Sequence, residues 1–337
     1  MADSPTPQDR FYFDRDADLT HLRGRTVSII GYGNQGRSQA LNLRDSGIEV
    51  VVGSQRDTSF DRARDDGFEP LSVPEAVRAG QIVVLLVPDE VMPSLYGESV
   101  APHLSPGEML VFASGYNVYF GFISPPAHLD VVLLAPRMIG KGVRDRFLDG
   151  RGFPSLVGVH QDATGRAWSL LLALAKGIGS TRAGALKSSF EEETILDLFS
   201  EHALAGVRLW SIRTAFDVLR EYGIGPSAIL LELYASGEAQ AVTQAAADLG
   251  LWDQLLLHSR TSQYGQLTRG QAAATEETRR HFRSIVDQIR DGRFAREWTQ
   301  EQEAGFPVMR RLMEMAFNHE SVKAEKRLFE MMRKKQG

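Results

Sequence analysis

"TVSIIGYGNQG", residues 26–36, joins a short β-branched run to a glycine-rich turn. The first five residues predict a buried strand, and the residues after Gly36 have the pattern of a helix. In such a G-x-G-x-x-G turn, Gly31 makes the tight bend, Gly33 lets the backbone approach a pyrophosphate, and Gly36 permits close packing of helix on strand. The helix N-terminus adds positive potential. The alternative is a plain structural turn, but this context favours a dinucleotide-binding site.

Six apolar runs between Thr26 and about Thr181 alternate with helix-like segments such as 36–46 and 163–176. The runs are TVSII (26–30), EVVVG (49–53), QIVVLLV (81–87), MLVFA (109–113), VVLLA (131–135) and SLVGV (155–159). They are continuous rather than alternating in polarity, as expected of strands covered on both faces. This order predicts an α/β fold, with a Rossmann-like, doubly wound parallel sheet in the N-terminal half.

Strand patterns stop after Ser188, and the rest of the chain has helical periodicity interrupted by glycine or proline. We therefore predict an all-α C-terminal domain. The predicted boundaries are 1–182 for the dinucleotide-binding domain and 183–337 for the helical domain.

Composition excludes several classes of function. The 337 residues carry a net charge of -5 and no basic block, so a nucleic-acid partner is not expected. No cysteine is present, which excludes disulfides and thiolate metal sites and fits a reducing compartment. The N-terminal residues lack the apolar core of a secretory signal, and runs such as 82–87 are too short to span a bilayer. We expect a cytoplasmic protein with no membrane partner.

The residues after the second strand decide between the two nicotinamide cofactors. A carboxylate there would bind ribose hydroxyls, whereas basic and hydroxyl side chains would hold a 2′-phosphate. Arg56, Thr58 and Ser59 suit the phosphate, and Asp57 opposes it. The sequence favours NADPH and leaves NADH possible.

The stretch "EEETILDLFSEH", residues 191–202, places Asp197 and Glu201 four residues apart on an apolar helix. Residues at this spacing share one helical face, where two carboxylates repel unless a cation or shared proton lies between them. Oxygen ligands without cysteine or histidine favour Mg²⁺. The alternative is that both residues cap the helix or pair with neighbouring basic side chains.

Long segments of the chain resemble ketol-acid reductoisomerase (acetohydroxyacid isomeroreductase) in its short-chain form. They include "FYFDRDADLTHLRGRTVSIIGYGNQG", "GRGFPSLVGVHQDATG", "SSFEEETILDLFSEHALAG" and "GRFAREWTQEQEAGFP", and the similarity runs from about residue 11 to 330. The resemblance implies a Rossmann domain that binds NADPH and a knotted helical domain that binds Mg²⁺ and substrate and forms dimers. It also implies the reaction: an alkyl shift in a 2-hydroxy-3-keto acid such as acetolactate, followed by hydride reduction.

The resemblance carries over site residues position by position. With the motif glycines, the cofactor contacts are Gly31, Tyr32, Gly33, Asn34, Gln35, Gly36, Asp89, Glu90, Val91, Met92 and Gly140. Asn34 stands where the family usually has serine. Asp197 and Glu201 fall on the first metal-binding pair, with Glu201 also a catalytic candidate, and Ser259 falls on the serine that binds the substrate carboxylate.

The second metal-binding pair of the family, E-x-x-x-E, is incomplete. Counting from Asp197 places it on Glu232 and Ser236, whereas counting back from "SQYG" places it on Tyr234 and Glu238. The counts differ by two residues, which indicates a local insertion. One carboxylate survives by either count, so Glu232 and Glu238 are both candidate ligands.

Two further departures lie at the reacting centre. Ser114 stands where the family has histidine, and serine cannot supply the proton chemistry of an imidazole near neutral pH. Arg137 stands where the family has lysine; it keeps the positive charge but does not act as an acid or base. Lys141, four residues on, is a candidate substitute, so the catalytic candidates are Arg137, Lys141, Ser114 and Glu201.

Three functions follow from this pattern. The first is an NAD(P)H- and Mg²⁺-dependent reductoisomerase acting on a keto acid. The second is a diverged member that catalyses only reduction or only rearrangement of another keto acid in a specialised pathway. The third is a non-catalytic nucleotide sensor or scaffold. The resemblance implies a homodimer or higher homo-oligomer, in which Glu232 or Glu238 would act across the subunit interface.

Overall fold

The structure, a computed structural model, describes residues 10–333. Its eight-stranded sheet has the order β1-β8-β7-β6-β5-β4-β2-β3. The strands are β1 (Phe11–Tyr12), β2 (Thr26–Ile30), β3 (Glu49–Gly53), β4 (Ile82–Leu85), β5 (Met109–Phe112), β6 (Asp130–Pro136), β7 (Ser155–Gln161) and β8 (Ala185–Lys187). The six predicted runs all form strands. Two short strands, β1 and β8, lack an apolar run long enough to predict them.

Five neighbouring strands of the sheet are parallel; in sheet order they are β3, β2, β4, β5 and β6. β7 differs from the expectation, because it pairs antiparallel with β6, in a register that opposes Leu133 to Gly158. The apolar run at 155–159 predicts burial but carries no signal for strand direction. β8 is parallel to β7, and β1 closes that edge antiparallel to β8.

The described chain divides into two compact units, one ending at Leu196 and the other beginning at Asp197. The first unit has helices on both faces of its sheet, as the doubly wound prediction requires. Its helices are α1 (Asn34–Asp45), α2 (Thr58–Asp65), α3 (Val73–Ala79), α4 (Met92–Leu95), α5 (Tyr116–Tyr119), α6 (Gly140–Leu148), α7 (Ala167–Ile178) and α8 (Phe190–Phe199), the last of which continues past Leu196.

Local sequence sets the ends of these helices. Before α3, the Ser72 backbone N–H donates to Glu75 Oε2 at 3.1 Å, as in a capping box, and the Ser72 hydroxyl donates to the same oxygen at 2.6 Å. α7 ends where Gly179 takes a left-handed φ of 91°. Strand residues such as Ile29 and Leu110 are fully buried between the helices. Each such side chain stabilises the fold by about 1.5–3 kcal/mol relative to leaving it exposed.

The second unit is helical throughout its described part. Its helices are α9 (Gly206–Glu221), α10 (Pro226–Leu230), α11 (Glu238–Leu249), α12 (Arg260–Gly270), α13 (Glu276–Arg290), α14 (Arg293–Glu303), α15 (Pro307–Phe317) and α16 (Glu320–Arg333). Two π-helical segments, Ser200–Ala205 and Leu231–Ala235, interrupt the regular helices. The knot implied by the resemblance stays a prediction.

The second unit buries few apolar side chains. One core cluster joins Phe216, Ile229, Leu230 and Leu328. Large apolar side chains such as Leu209, at 72% exposed, and Trp252, at 70%, lie on its surface. No helix in the described residues is both long and apolar enough to cross a bilayer.

Candidate functional site

The nucleotide turn has the geometry that a pyrophosphate needs. Gly31 takes a φ of 94°, and a Cβ there would lie 2.7 Å from the Leu86 carbonyl oxygen. A Cβ at Gly36 would lie 2.0 Å from the Gly31 oxygen, so α1 packs directly on the turn. A Cβ at Gly33 would meet nothing within 4 Å, which leaves space over the N-terminus of α1. The tight bend at Gly31 and the close approach at Gly36 are therefore present, and the pyrophosphate contact at Gly33 stays a prediction.

The turn lies at a switch point of the sheet. The chain leaves β2 for β3 on one side, and β4 is the neighbour of β2 on the other. In open α/β sheets, ligands bind in the crevice at the carboxyl ends of the strands where the strand order reverses. The 31–36 turn and the segment that follows β4 therefore border this crevice, and Leu86 N–H donates to Ile30 O at 2.8 Å to hold them together.

A third loop packs against the turn. Gln35 Nε2 donates to Met138 O at 2.8 Å. A Cβ at Gly140 would lie 2.3 Å from the Asn34 oxygen, so only glycine permits this approach between the start of α6 and the start of α1. Asn34, Gln35 and Gly140 thus lie together, as the carried-over cofactor contacts require. The loop 137–140 is fixed by the same residues that form the turn.

Tyr32 differs from its neighbours, because its side chain points into the protein. It is 1% exposed, and its hydroxyl donates to Asp66 Oδ2 at 3.0 Å. Arg37 donates to both oxygens of the same carboxylate, at 2.6 and 2.8 Å. The Arg37 guanidinium lowers the pKa of Asp66, and burial, followed by the Asp66 hydrogen bond, raises the pKa of Tyr32. Only the main chain of Tyr32 belongs to the turn surface.

The residues predicted to choose the cofactor surround the start of α2. Asp57 Oδ1 accepts the N–H groups of Ser59 and Phe60, at 2.8 and 3.3 Å, and so caps the helix. The Asp57 carboxylate, which would repel a 2′-phosphate, is therefore already hydrogen-bonded to the N-terminus of the helix. Arg56 and Thr58 are exposed, and a cavity of about 380 Å³ beside them is lined by Gln55, Arg56, Ser72 and Glu75 among others.

The loop after β4 is anchored by one amide. Asn117 Nδ2 donates to Asp89 O and to Asp89 Oδ1, both at 3.1 Å. Met92 is buried below the loop, whereas Glu90 and Val91 face outward. Of the four predicted cofactor contacts on this loop, only Met92 is therefore buried.

Arg137 and Ser114 lie at the ends of the neighbouring strands β6 and β5. Arg137 Nη2 donates to Glu193 Oε1 at 2.7 Å, and the Gly115 N–H donates to Glu193 Oε2 at 2.7 Å. Glu193 is 1% exposed. Ser114 Oγ accepts the Tyr116 N–H at 3.3 Å. A buried carboxylate therefore connects the arginine with the turn that carries the serine.

Lys141 is not part of this group. It lies on α6, 81% exposed, and forms an ion pair with Asp145 one turn further along the helix. Its role as a substitute for the family lysine stays a prediction, and the structure places the charge of Arg137, not that of Lys141, beside Glu193.

In the second unit, Asp197 and Glu201 lie around the junction of α8 with a π-helical turn. Asp197 is half-buried and belongs to α8, whereas Glu201 is exposed in Ser200–Ala205. π-helical turns inside α-helices occur frequently at functional sites. Mg²⁺ is commonly held by one or two carboxylates together with waters and substrate oxygens. These two residues fit that donor chemistry, although residues 10–333 contain no cluster of three or more acidic, histidine or cysteine ligands.

The two candidate positions for the surviving carboxylate of the second pair lie on either side of a helix break. Glu232 lies in the π-helical segment Leu231–Ala235, Gly237 has a φ of 88°, and α11 begins at Glu238. The local insertion that the two sequence counts indicate stays a prediction. Tyr234 lies between the two candidates, and its hydroxyl donates to Glu325 on α16. Glu232 and Glu238 are thus not on one continuous helix.

Ser259 caps α12, and its exposed side chain accepts the Ser262 N–H at 3.3 Å. A helix N-terminus is a favourable place for a carboxylate. Sequence reasoning did not single out Glu193. It precedes Asp197 by the same four residues that separate Asp197 from Glu201, and that spacing was the available signal.

The sheet, the nucleotide turn and the crevice define a dinucleotide-binding protein of the Rossmann class joined to a helical unit. Two family models match consecutive parts of the chain: the NADPH-binding domain of acetohydroxy acid isomeroreductase over residues 21–184, and the C-terminal domain of ketol-acid reductoisomerase over 190–334. The chain belongs to the ketol-acid reductoisomerase family. The predicted resemblance, the fold class and an NADPH-type cofactor domain are thereby confirmed.

Individual relatives agree with the family models. A protein of Saccharolobus solfataricus is 46% identical over 324 residues, which cover 95% of this chain and 97% of that one. The ketol-acid reductoisomerase (NADP(+)) of Methanopyrus kandleri is 45% identical over 325 residues, covering 96% and 98%. A solved NADH-preferring ketol-acid reductoisomerase from an uncultured archean matches with a TM-score of 0.90 at 34% identity, covering 94% of this chain and 98% of that one.

Proposed function

We propose that this chain is an NAD(P)H-dependent ketol-acid reductoisomerase that converts a 2-hydroxy-3-keto acid such as acetolactate into a 2,3-dihydroxy acid. The family match over both units carries this proposal. In the reaction, an alkyl group moves from C2 to C3; the C2 hydroxyl loses its proton and becomes a ketone, and the C3 ketone oxygen takes up a proton and becomes a hydroxyl. A hydride then adds to that ketone carbon, and a proton adds to its oxygen.

The dinucleotide supplies the hydride. The 31–36 turn binds its pyrophosphate, and the 89–92 loop and Gly140 border the same crevice. The exposed Arg56 and the helix-capping role of Asp57 favour NADPH, in keeping with the NADP(+)-dependent relative. NADH remains an alternative donor, as in the NADH-preferring neighbour.

Arg137 is the residue best placed to act on the reacting oxygens of the substrate. Its guanidinium is permanently charged and has five donors, so it binds a carboxylate or an oxyanion without exchanging a proton. Glu193 holds one edge of that guanidinium at 2.7 Å and fixes its orientation. Ser114, on the turn joined to Glu193, supplies a hydroxyl as a donor or acceptor, and Ser259 offers the N-terminus of α12 to the substrate carboxylate.

Magnesium would act as a Lewis acid on the substrate oxygens. Asp197 and Glu201 would hold it, with Glu232 or Glu238 completing the site from a partner chain. We further propose that this partner is a second copy of the chain, because the helical unit exposes large apolar side chains such as Leu209 and Trp252. A sedimentation or light-scattering mass of one chain would exclude the homodimer.

Reduction without the alkyl shift is the second candidate. The observation that favours it is the incomplete second pair, because only one of its two carboxylates, Glu232 or Glu238, remains in the sequence. Replacement of the family histidine and lysine by Ser114 and Arg137 points the same way. The third candidate, a nucleotide sensor, predicts binding without turnover.

One experiment separates these functions. NADPH oxidation is followed with Mg²⁺ and either 2-acetolactate or 3-hydroxy-3-methyl-2-ketobutyrate, the rearranged intermediate. Turnover of both supports the reductoisomerase, and turnover of the second alone supports the reductase. NADPH binding without turnover of either supports the sensor.

A further inference from the structure

Asn117 joins two segments that border the dinucleotide crevice. It lies in the single turn α5, directly after the Ser114–Gly115 turn, and is 1% exposed. Its Nδ2 donates to the carbonyl and to the carboxylate of Asp89, both at 3.1 Å. The same nitrogen lies 3.6 Å from the sulfur of buried Met92. One side chain thus contacts both ends of the 89–92 loop.

The contacts have a defined chemistry. The amide NH₂ has two hydrogens, and both acceptors of Asp89 lie within reach, so the main chain and the side chain of that residue are fixed together. Hydrogen bonds to an ionised carboxylate are stronger than neutral ones. Asn117 is itself held in place, because the Ile123 N–H donates to the main-chain carbonyl oxygen of Asn117 at 2.9 Å. The loop is therefore tied to a rigid support.

The Asn117 side-chain amide also destabilises the fold. Asn117 Oδ1 is buried and has no hydrogen-bond partner within the described residues. Burying an amide oxygen without a donor destabilises a protein, and an apolar side chain of similar size would avoid that penalty. Packing alone does not explain an asparagine here, whereas the need to hold Asp89 does.

We propose that Asn117 is a positioning residue for the dinucleotide, acting through the Asp89 loop. The inference rests on the proposed function in one respect: the crevice must bind NADPH. It assigns Asn117 no contact with the reacting atoms. Weakening the Asn117–Asp89 link would loosen one wall of the crevice and lower affinity for the dinucleotide more than it lowers the rate of the bound complex.

The test uses the full-length protein and NADPH alone, with binding followed by the fluorescence of the reduced nicotinamide. Asn117→Asp keeps the shape but turns the donor into an oxygen that repels Asp89. Asn117→Ala removes the amide without adding charge. Loss of a hydrogen bond to a charged group corresponds to a loss of affinity in which Kd rises about tenfold or more. We expect that loss in N117D, a smaller loss in the same direction in N117A, and kcat at saturating NADPH within about twofold of wild type.

Asn42 provides a matched control. It is fully buried, and its Nδ2 donates to Val143 O and Ile178 O at 3.3 and 3.0 Å, away from the 89–92 loop. Asn42→Asp should lower the melting temperature while leaving the Kd for NADPH unchanged. Unchanged NADPH affinity in folded N117D and N117A, or an equal loss of affinity in N42D, would overturn the proposal. A wild-type protein that binds neither NADPH nor NADH would instead refute the proposed function.

Discussion

The Arg137 guanidinium lies 2.7 Å from Glu193 Oε1, and the other oxygen of Glu193 accepts the Gly115 N–H at 2.7 Å. This buried carboxylate connects the ends of β5 and β6 with α8. A cation of fixed charge is thereby held beside the turn that carries Ser114.

Glu193→Gln should weaken both the fold and the activity. The amide keeps the size of the side chain but removes the charge, and one of its ends becomes a donor facing Arg137 or Gly115. Removing one partner of a charged hydrogen bond costs about 1–3 kcal/mol. We expect that loss in urea unfolding and a fall in kcat of about tenfold or more.

Glu192→Gln is the control for this substitution. Glu192 neighbours Glu193 but is exposed, and it accepts a hydrogen bond from Ser188 at 2.7 Å. It should behave as wild type within about 0.5 kcal/mol. Equal effects of the two substitutions would show that the buried link to Arg137 has no special role.

Gly36→Ala should damage the nucleotide turn. The added methyl group would lie 2.0 Å from the Gly31 oxygen, so the backbone of the turn must move. Overpacking of this kind costs about 1–3 kcal/mol, and the pyrophosphate site would be distorted. The measurement is the NADPH Kd together with the unfolding free energy. Gly97→Ala, where a Cβ meets nothing within 4 Å, should leave both unchanged; equal affinity of the G36A and wild-type proteins for NADPH would contradict this account of the turn.

Asp66 should make stability depend on pH in the acid range. Its pKa is lowered in the folded protein, first by the Arg37 hydrogen bond, and Tyr32 also donates to it. A carboxyl with a lowered folded pKa stabilises the fold above its unfolded pKa of about 4, and that stabilisation is lost as pH falls through the folded value. The difference in unfolding free energy between wild type and Asp66→Asn should therefore be largest near neutral pH and shrink below about pH 4. A difference that grows on acidification would contradict the assigned direction.

Asp197→Asn and Glu201→Gln should each reduce activity and raise the Mg²⁺ concentration needed for half-maximal turnover. Removing a carboxylate ligand weakens binding of a hard cation. NADPH affinity measured without substrate should stay within about twofold of wild type, because the nucleotide turn is untouched. Glu277→Gln, an exposed acid in the first turn of α13, is the charge-matched control and should retain the wild-type Mg²⁺ dependence. Full activity of both ligand variants would remove these residues from the metal site.

The sequence predicted the part of the fold that depends on local signals. Gly31 and Gly36 have their predicted places because a strand, a turn and a helix at fixed spacing leave few alternatives. The direction of β7 and the pairing of β1 with β8 depend on long-range packing, which an apolar run does not encode. Glu193 was missed because the sequence does not show whether a glutamate is buried or exposed. Only the tertiary contacts with Arg137 and Gly115 distinguish Glu193 from its exposed neighbours.

The position of the second carboxylate pair could not be predicted from the sequence alone. Two counts placed it two residues apart, and no periodic pattern could choose between them. The left-handed Gly237 lies between the π-helical segment and α11. One helical segment thus ends and another begins between Glu232 and Glu238.

The most direct test of the proposed reductoisomerase is NADPH oxidation with 2-acetolactate and Mg²⁺, with the product identified by mass spectrometry. We expect steady oxidation, its abolition by EDTA, and formation of the 2,3-dihydroxy acid in an amount equal to the NADPH consumed. No oxidation with 2-acetolactate, in a protein that binds NADPH and turns over the rearranged keto acid, would contradict it.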